Sequence, residues 1–335
     1  MKRRFRSGYE MRLLTSALCA TVAGSLLCGC AGNFSAPTTR VVQLRQEPAR
    51  AAKTEPSSGI YVSQFYGSEI FGYPSSNKLN RRPLCNVRGG MYVNDVAVDG
   101  QGNLIAPDGA SENVIVYQGP QMCGKRVGAF RDAYGQPSDV ASQDAVNGTI
   151  AVGNIRDHGS SAGSLSICTL RAGCTSNLTN PQLSAAGGVA MSNGGDCWVD
   201  AMRTPTGGTA LIYFEGCAGQ GQAASGFNSK TYGGIDIDNQ GNLVIIDQGA
   251  STVSIYSGCK PGCTLVGGPF RLKAKSFFGK LNAANTDFVA VDQIGGAVDF
   301  YSYSTKAIKF EYSFKRGLQI DLAPQGIAQN PRSAQ

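Results

Sequence analysis

The chain has 335 residues, 44 of them Gly, only 16% charged residues and a net charge of +7. That composition suits short strands and turns and excludes a long-helix or coiled-coil architecture. Residues 1–29 hold five Lys/Arg and one Glu, so only +3 remains on the rest of the chain, which argues against nucleic acid as a partner.

The N-terminus reads as a targeting segment. Lys2, Arg3, Arg4, Arg6 and Arg12 form a cationic stretch, and the run from Leu13 to Leu27 is mostly apolar. Such a run is too short to cross ~30 Å of hydrocarbon comfortably, which favours a signal peptide over a transmembrane helix. Leu27-Cys28-Gly29-Cys30 follows. It resembles the bacterial lipobox, which implies removal of residues 1–29 and lipidation of Cys30. An ordinary secretory signal with incidental cysteines is the alternative. In that class Ala31 after the lipidated Cys does not resemble an inner-membrane retention signal, so the expected location is the cell envelope, at the outer membrane. Residues 30–58 are rich in Pro, Ala, Thr, Ser, Gln and Arg and read as a disordered tether. A tether of that length spans roughly 30 Å root-mean-square.

From residue 59 the sequence repeats. The clearest copies are Asn94-Asp95-Val96-Ala97-Val98-Asp99-Gly100-Gln101-Gly102-Asn103-Leu104 and Gly233-Gly234-Ile235-Asp236-Ile237-Asp238-Asn239-Gln240-Gly241-Asn242-Leu243. Naming four strands A to D per repeat, strand A centres on Val96, Val140, Val189, Ile235, Leu281 and Ile327. Strand B ends at Gln64, Asp108, Asn154, Asp200, Asp247 and Asp292. Strand C ends at Tyr73, Tyr117, Cys168, Phe214, Tyr256 and Tyr301. A period of about 45 residues with four short strands predicts an all-β fold, a six-bladed β-propeller over 59–330 with a tail at 331–335. The chain enters at strand B and leaves after a sixth strand A. The C-terminal strand A is therefore expected to join the N-terminal strands B to D and close the ring.

The Val-Ala-Val-Asp and Gly-Asn-Leu wording resembles NHL-repeat propellers and their SMP-30/gluconolactonase and streptogramin-lyase relatives. The resemblance covers 59–330 and implies the fold; that fold hosts both enzymes and binding proteins.

Eight cysteines fall within the propeller, an even number that points to disulfides in an exported domain. Cys168/Cys174 and Cys259/Cys263 straddle C–D turns, and Cys197 and Cys217 lie on partner strands. Cys85 and Cys123 pair only by elimination. A metal site at Cys259 and Cys263 is the disfavoured alternative, because zinc takes four ligands.

The D–A and B–C connections share one face. Arg131, Tyr134, Lys230, Tyr232, Lys275 and Phe277 make it a candidate binding face, since aromatics beside cations suit sugars or anionic groups. Packing of the aromatics between blades is the plainer reading. Lys280 and Phe278 are assigned to the same connections. The Asp/Asn residues at strand B ends are expected to cap their own B–C turns. Streptogramin-lyase-like catalysis leans on several His residues, and this chain has one, His158. An SMP-30-like site holds a divalent cation. Asp95, Asp139 and Asp236 could supply channel carboxylates, catalytic and metal-binding, whereas Glu69 is not clearly at the channel. No Gly-x-Ser-x-Gly elbow or P-loop occurs. The expectation is a monomeric, non-catalytic scaffold without cofactor, anchored to the membrane by lipid and binding a glycan, envelope component or partner protein. The alternative is a metal-dependent hydrolase or lyase.

Overall fold

The computed structural model describes residues 58–75, 82–88, 90–143, 148–160, 162–203 and 208–330. The segment read as a signal peptide, Cys30, most of the segment read as a tether, and residues 331–335 lie outside the described residues. Strands β1 (Gly59–Gln64), β2 (Glu69–Pro74) and β3 (Cys85–Arg88) open the fold. The second blade is β4 (Ala97–Val98), β5 (Leu104–Asp108), β6 (Asn113–Tyr117) and β7 (Arg126–Arg131). The third is β8 (Gly135–Ser142), β9 (Thr149–Asp157), β10 (Ser164–Thr169) and β11 (Gly173–Leu178). The fourth is β12 (Ala185–Met191), β13 (Cys197–Met202), β14 (Thr209–Phe214) and β15 (Gln222–Ala223). The fifth is β16 (Ile235–Ile237), β17 (Leu243–Asp247), β18 (Thr252–Ser257) and β19 (Thr264–Arg271). The sixth is β20 (Ser276–Leu281), β21 (Asp287–Asp292), β22 (Ala297–Ser304) and β23 (Ala307–Phe314), followed by β24 (Pro324–Asn330).

Each blade is a four-stranded antiparallel sheet in sequential order, except that β24 pairs with β1 and completes the first blade in the order β24-β1-β2-β3. The molecule is an all-β, six-bladed propeller closed by its own C-terminal strand. Antiparallel alternation puts the A–B and C–D turns at one end of every blade and the B–C and D–A connections at the other.

Local chemistry explains the A–B turns. The Asp99 carboxylate accepts the backbone N–H groups of Gln101 (2.9 Å) and Asn103 (2.8 Å). The Asp238 carboxylate does the same for Gln240 (2.9 Å) and Asn242 (2.8 Å). Gly102 and Gly241 sit in the left-handed region, with φ of 80° and 78°, where a side chain is strained.

Six apolar clusters hold the ring, one between each pair of adjacent blades. Between blades three and four Leu165 and Leu178 meet Val189, Val199 and Ile212. Between blades six and one Phe278, Val289 and Phe300 meet Val62, Tyr73 and Ile327. Four disulfides add to this: Cys85–Cys123, Cys168–Cys174, Cys197–Cys217 and Cys259–Cys263. Cys85–Cys123 joins blade one to blade two, and the other three lie within single blades. All four lie at the A–B/C–D end.

The strand B ends behave less uniformly than expected. Asp108 and Asp292 bond N–H groups of their own turns, as does Asp247 through Ala250. Asn154 instead donates to Ser164 and Ser166 on strand C, and Asp200 accepts the N–H of Gly233 at the entry to the next blade. In β9 and β13 the strand runs on past these residues, so no turn N–H lies within their reach.

Two outcomes follow. A chain ending at Arg316 lacks β24, leaves β1 unpaired on its inner edge, and is expected to lose its cooperative transition in a circular-dichroism melt. Cys85–Cys123 spans 38 residues and Cys259–Cys263 spans 4. On chain entropy, removing the first pair costs about 4 kcal/mol and the second about 2 kcal/mol. Chemical denaturation of the two double-alanine variants should rank them in that order.

Candidate functional site

The six A strands line a central channel. Aligned by their strand B partners, Ala97, Ala141, Ala190, Asp236, Lys280 and Ala328 form one layer, one residue per blade. All six line a cavity of about 40 Å³, room for about three waters. Four alanines leave space for one carboxylate and one lysine. Lys280 therefore belongs to β20 and the channel, not to the D–A connection. Phe278 is likewise buried in the core, in the cluster between blades six and one.

Asp95, Asp139 and Asp236 gather around this lysine. Lys280 Nζ donates to the carbonyl of Ile235 (3.1 Å) and lies 3.3 Å from Asp95 Oδ2. Asp95 Oδ1 accepts the N–H of Ile327 (2.9 Å), and Asp236 Oδ2 accepts that of Leu281 (2.6 Å). Asp139 Oδ2 accepts the N–H of Val189. Each carboxylate thus ties strand A of its own blade to strand A of a neighbour, blade two to one, five to six, and three to four. Burial lowers the Lys280 pKa, but Asp95, Asp236 and Asp139 outweigh it and hold the ammonium above the usual lysine range. Burial pushes Asp139 well above the usual carboxylate range, and neighbouring Asp95 adds to the push. Burial also raises Asp95, against the pull of Lys280.

This arrangement does not fit a divalent cation. The lysine ammonium takes the place an ion would fill, and each carboxylate spends an oxygen on a backbone N–H. Among the described residues no group of three or more His, Cys, Asp and Glu side chains is placed to hold a metal. Glu69 lies away from the channel at the start of β2, where it accepts a bond from Asn86 (2.8 Å).

The B–C/D–A face carries the other candidate residues. Arg131 is exposed and pairs with Glu112 (2.7 Å), which also meets His158 Nε2 (2.9 Å). The hydrogen bond that His158 donates to Glu112 raises the His158 pKa above its ordinary value. Lys230 and Lys275 are exposed, whereas Tyr134 is half-buried. Tyr232 and Phe277 are half-buried and pack edge to face at 5.3 Å, with Phe277 stacked on Phe278 at 4.8 Å. These two aromatics close the packing between blades, and the three cations stand apart around the rim.

The open apolar surface lies elsewhere on this face, at blades six, one and two. Ile294 is 68% exposed, Ile320 61%, Tyr66 58% and Met91 48%. A methyl group built on Gly296 would come within 2.6 Å of Ile320 Cγ1, so Ile320 rests on the turn that carries Ile294. Phe65 and Tyr66 are the central residues of a tight turn closed by Gly67 N–H to Gln64 O (3.0 Å). Their N–H groups bond Ala323 O (2.9 Å) and Leu322 O (3.1 Å), beside Ile320. Tyr92 N–H bonds Phe65 O (3.0 Å), and its ring lies 5.2 Å from that of Phe65 and 6.4 Å from that of Tyr66. Next to these rings runs a chain of amides across the channel mouth. Gln248 donates to Gln293 (3.3 Å), Gln293 to Gln325 (3.0 Å) and Gln325 to Asn94 (2.6 Å). Phe65, Tyr66, Met91, Ile294 and Ile320 are not among the candidates that the sequence offered. An apolar residue set inside a Gly-bounded turn, as in Gln64-Phe65-Tyr66-Gly67, is the signal that could have found them.

No protein-family model matches the chain, and no curated protein sequence matches it. Solved structures do. A chain of a nidogen/laminin complex aligns with a TM-score of 0.58 at 12% identity, covering 82% of this chain and 98% of that one. A functionally unknown protein from Desulfotomaculum acetoxidans aligns with a TM-score of 0.53 at 14% identity, over 81% and 98%. A streptogramin B lyase aligns with a TM-score of 0.51 at 11% identity, over 80% and 76%. At these identities the likeness is one of fold.

The channel cluster sets a test of stability. Lys280→Met leaves buried carboxylates without their cation and should cost about 3–5 kcal/mol in chemical denaturation. Asp139 has a raised pKa in the folded state, so its contribution is full below the unfolded value of about 4 and is lost as pH rises through the folded value. Asp139→Asn removes that titration. Its melting temperature should fall less steeply than the wild type's as pH rises from 4 to 8.

Proposed function

We propose that this protein is a non-catalytic, lipid-anchored propeller of a bacterial cell envelope. It is held at the outer membrane through Cys30 and the 30–58 tether, and it binds a glycan, envelope component or partner protein through its B–C/D–A face. The observation that carries this reading is the contiguous exposure of Ile294, Ile320, Tyr66, Met91 and Tyr92 on one face, because soluble folds seldom leave such a patch without a binding role. The channel supports it from the other side. Its three carboxylates are engaged with strand N–H groups and Lys280, leaving little for an SMP-30-like metal-dependent reaction, whose family wording the repeats resemble. The fold itself is neutral between the two, since one neighbour is a lyase and another belongs to a protein complex.

Two measurements test the reading. The full-length protein in detergent is melted with and without Ca²⁺, Zn²⁺ and Mn²⁺. An ion at a hundredfold excess over its Kd would add about 2.7 kcal/mol to stability. No shift is expected, and a shift abolished by Asp236→Ala would replace the binding reading with the hydrolase one. Envelope fractions are then passed over immobilised protein. Retention is expected to be lost with Ile320→Asp but kept with Leu170→Asp, at an exposed C–D turn on the opposite face.

A further inference from the structure

Within that binding reading, on which this inference rests, we propose that Tyr66, Tyr92 and the amide chain beside them form a site for a neutral pyranose ring of an oligosaccharide. A pyranose presents an apolar C–H face and a rim of hydroxyls. It therefore needs an aromatic surface next to groups that both donate and accept hydrogen bonds without fixed charge. The aromatic surface is the trio of Phe65, Tyr66 and Tyr92, in which Phe65 is the half-buried support and the two tyrosines are exposed. The polar rim is Asn94, Gln325 and Gln293. Asn94 lies two residues after Tyr92, and Gln325 lies two after Ala323, whose carbonyl holds the Phe65 turn. Asn94 Oδ1 is used by Gln325, and among the described residues its amide nitrogen has no partner, so that donor is open to a hydroxyl.

Two further features point to a ligand here. Tyr92 has φ of 60°, a left-handed conformation that costs a bulky residue energy and gathers at functional positions. Its backbone bond to Phe65 O holds it there, with the ring turned toward Tyr66. Gln64 at the base of the turn is buried; its Oε1 accepts the Gln319 N–H (2.9 Å), and its Nε2 has no partner among the described residues. The rim itself, Asn94, Gln293 and Gln325, carries no charge, and Arg131 farther along this face is held by Glu112. That favours a neutral ligand over an anionic one. A protein partner would use the aliphatic part of the patch, Ile294 and Ile320, and would need neither the amide chain nor the strained tyrosine.

The test is isothermal titration of the full-length protein in detergent with cellohexaose, maltohexaose, mannohexaose and chitohexaose, and with hexagalacturonate as the anionic comparison. At least one neutral hexamer is expected to bind below about 1 mM, more tightly than hexagalacturonate. Tyr66→Ala and Tyr92→Gly should each weaken it about tenfold or more. Tyr92→Gly is the decisive variant: it relieves the left-handed strain, so its melting temperature should hold or rise while binding falls. Absence of binding by all four neutral hexamers, or unchanged affinity in both variants, overturns the inference. If that happens while Ile320→Asp still abolishes retention of envelope material, the saccharide site is wrong and the scaffold reading stands. If retention is also unaffected, both fall.

Discussion

The antiparallel pairing of β24 with β1 is the constraint on which the channel and its B–C/D–A mouth depend. Ile327 stands opposite Val62 in that pairing, and only in the closed ring is its N–H presented to Asp95. Asp95 in turn meets Lys280 from blade six, so the ion pair spans the point where the chain's ends join. The same closure organises the B–C/D–A mouth. The segment leading into β24 supplies the Ala323 and Leu322 carbonyls that hold the Phe65–Tyr66 turn. One pairing therefore fixes a buried electrostatic cluster and an exposed aromatic surface together.

Why the channel should be charged at all follows from crowding at the axis. Six strands converging on one line admit small side chains, and four of the six residues in the layer are alanine. An apolar filling would stabilise as well or better, because desolvation offsets much of what a buried ion pair contributes. What the charges add is registration. Each of the three aspartates accepts an N–H from a strand in a different blade, so a blade sliding by one residue would strand a buried carboxylate. Such an error costs about 1–3 kcal/mol for an unsatisfied group, and more for a charge. This cluster makes the ring specific more than it makes it stable.

The period, the blade count and the closing strand were legible because the same turn chemistry recurs. Asp99 with Asn103, and Asp238 with Asn242, mark A–B turns that any reader of the sequence can align. Three of the four cysteine pairings were legible for a related reason, since hairpin spacing limits which sulfurs can meet; Cys85 and Cys123, on neighbouring blades, paired only by elimination. Lys280 was not. In blade six the pairing of β20 with β21 shifts between Ser276 and Gly279, and such an irregularity breaks the alternation that assigns side chains to one face or the other. A lysine read as a solvated loop residue consequently points into the channel. The tyrosine surface was hidden for the opposite reason. Turn residues carry no periodicity, so nothing in the spacing of Phe65, Tyr66 and Ile320 says that they meet.

The two faces of the ring have been built to different specifications. All four disulfides lie at the A–B/C–D end, where Asp99 and Asp238 cap their own A–B turns. The B–C/D–A end has no disulfide among the described residues. It carries the lone histidine and a tyrosine in a costly backbone conformation. Covalent staples confined to one face make sense if the other face is answerable to a ligand. Stiffening the first keeps the blades in register, so that side chains from blades six, one and two, far apart in sequence, arrive at the second in a fixed arrangement. Preorganisation of that kind lowers the ordering cost of binding, and it gives Tyr92 a reason to stay where glycine would be more comfortable.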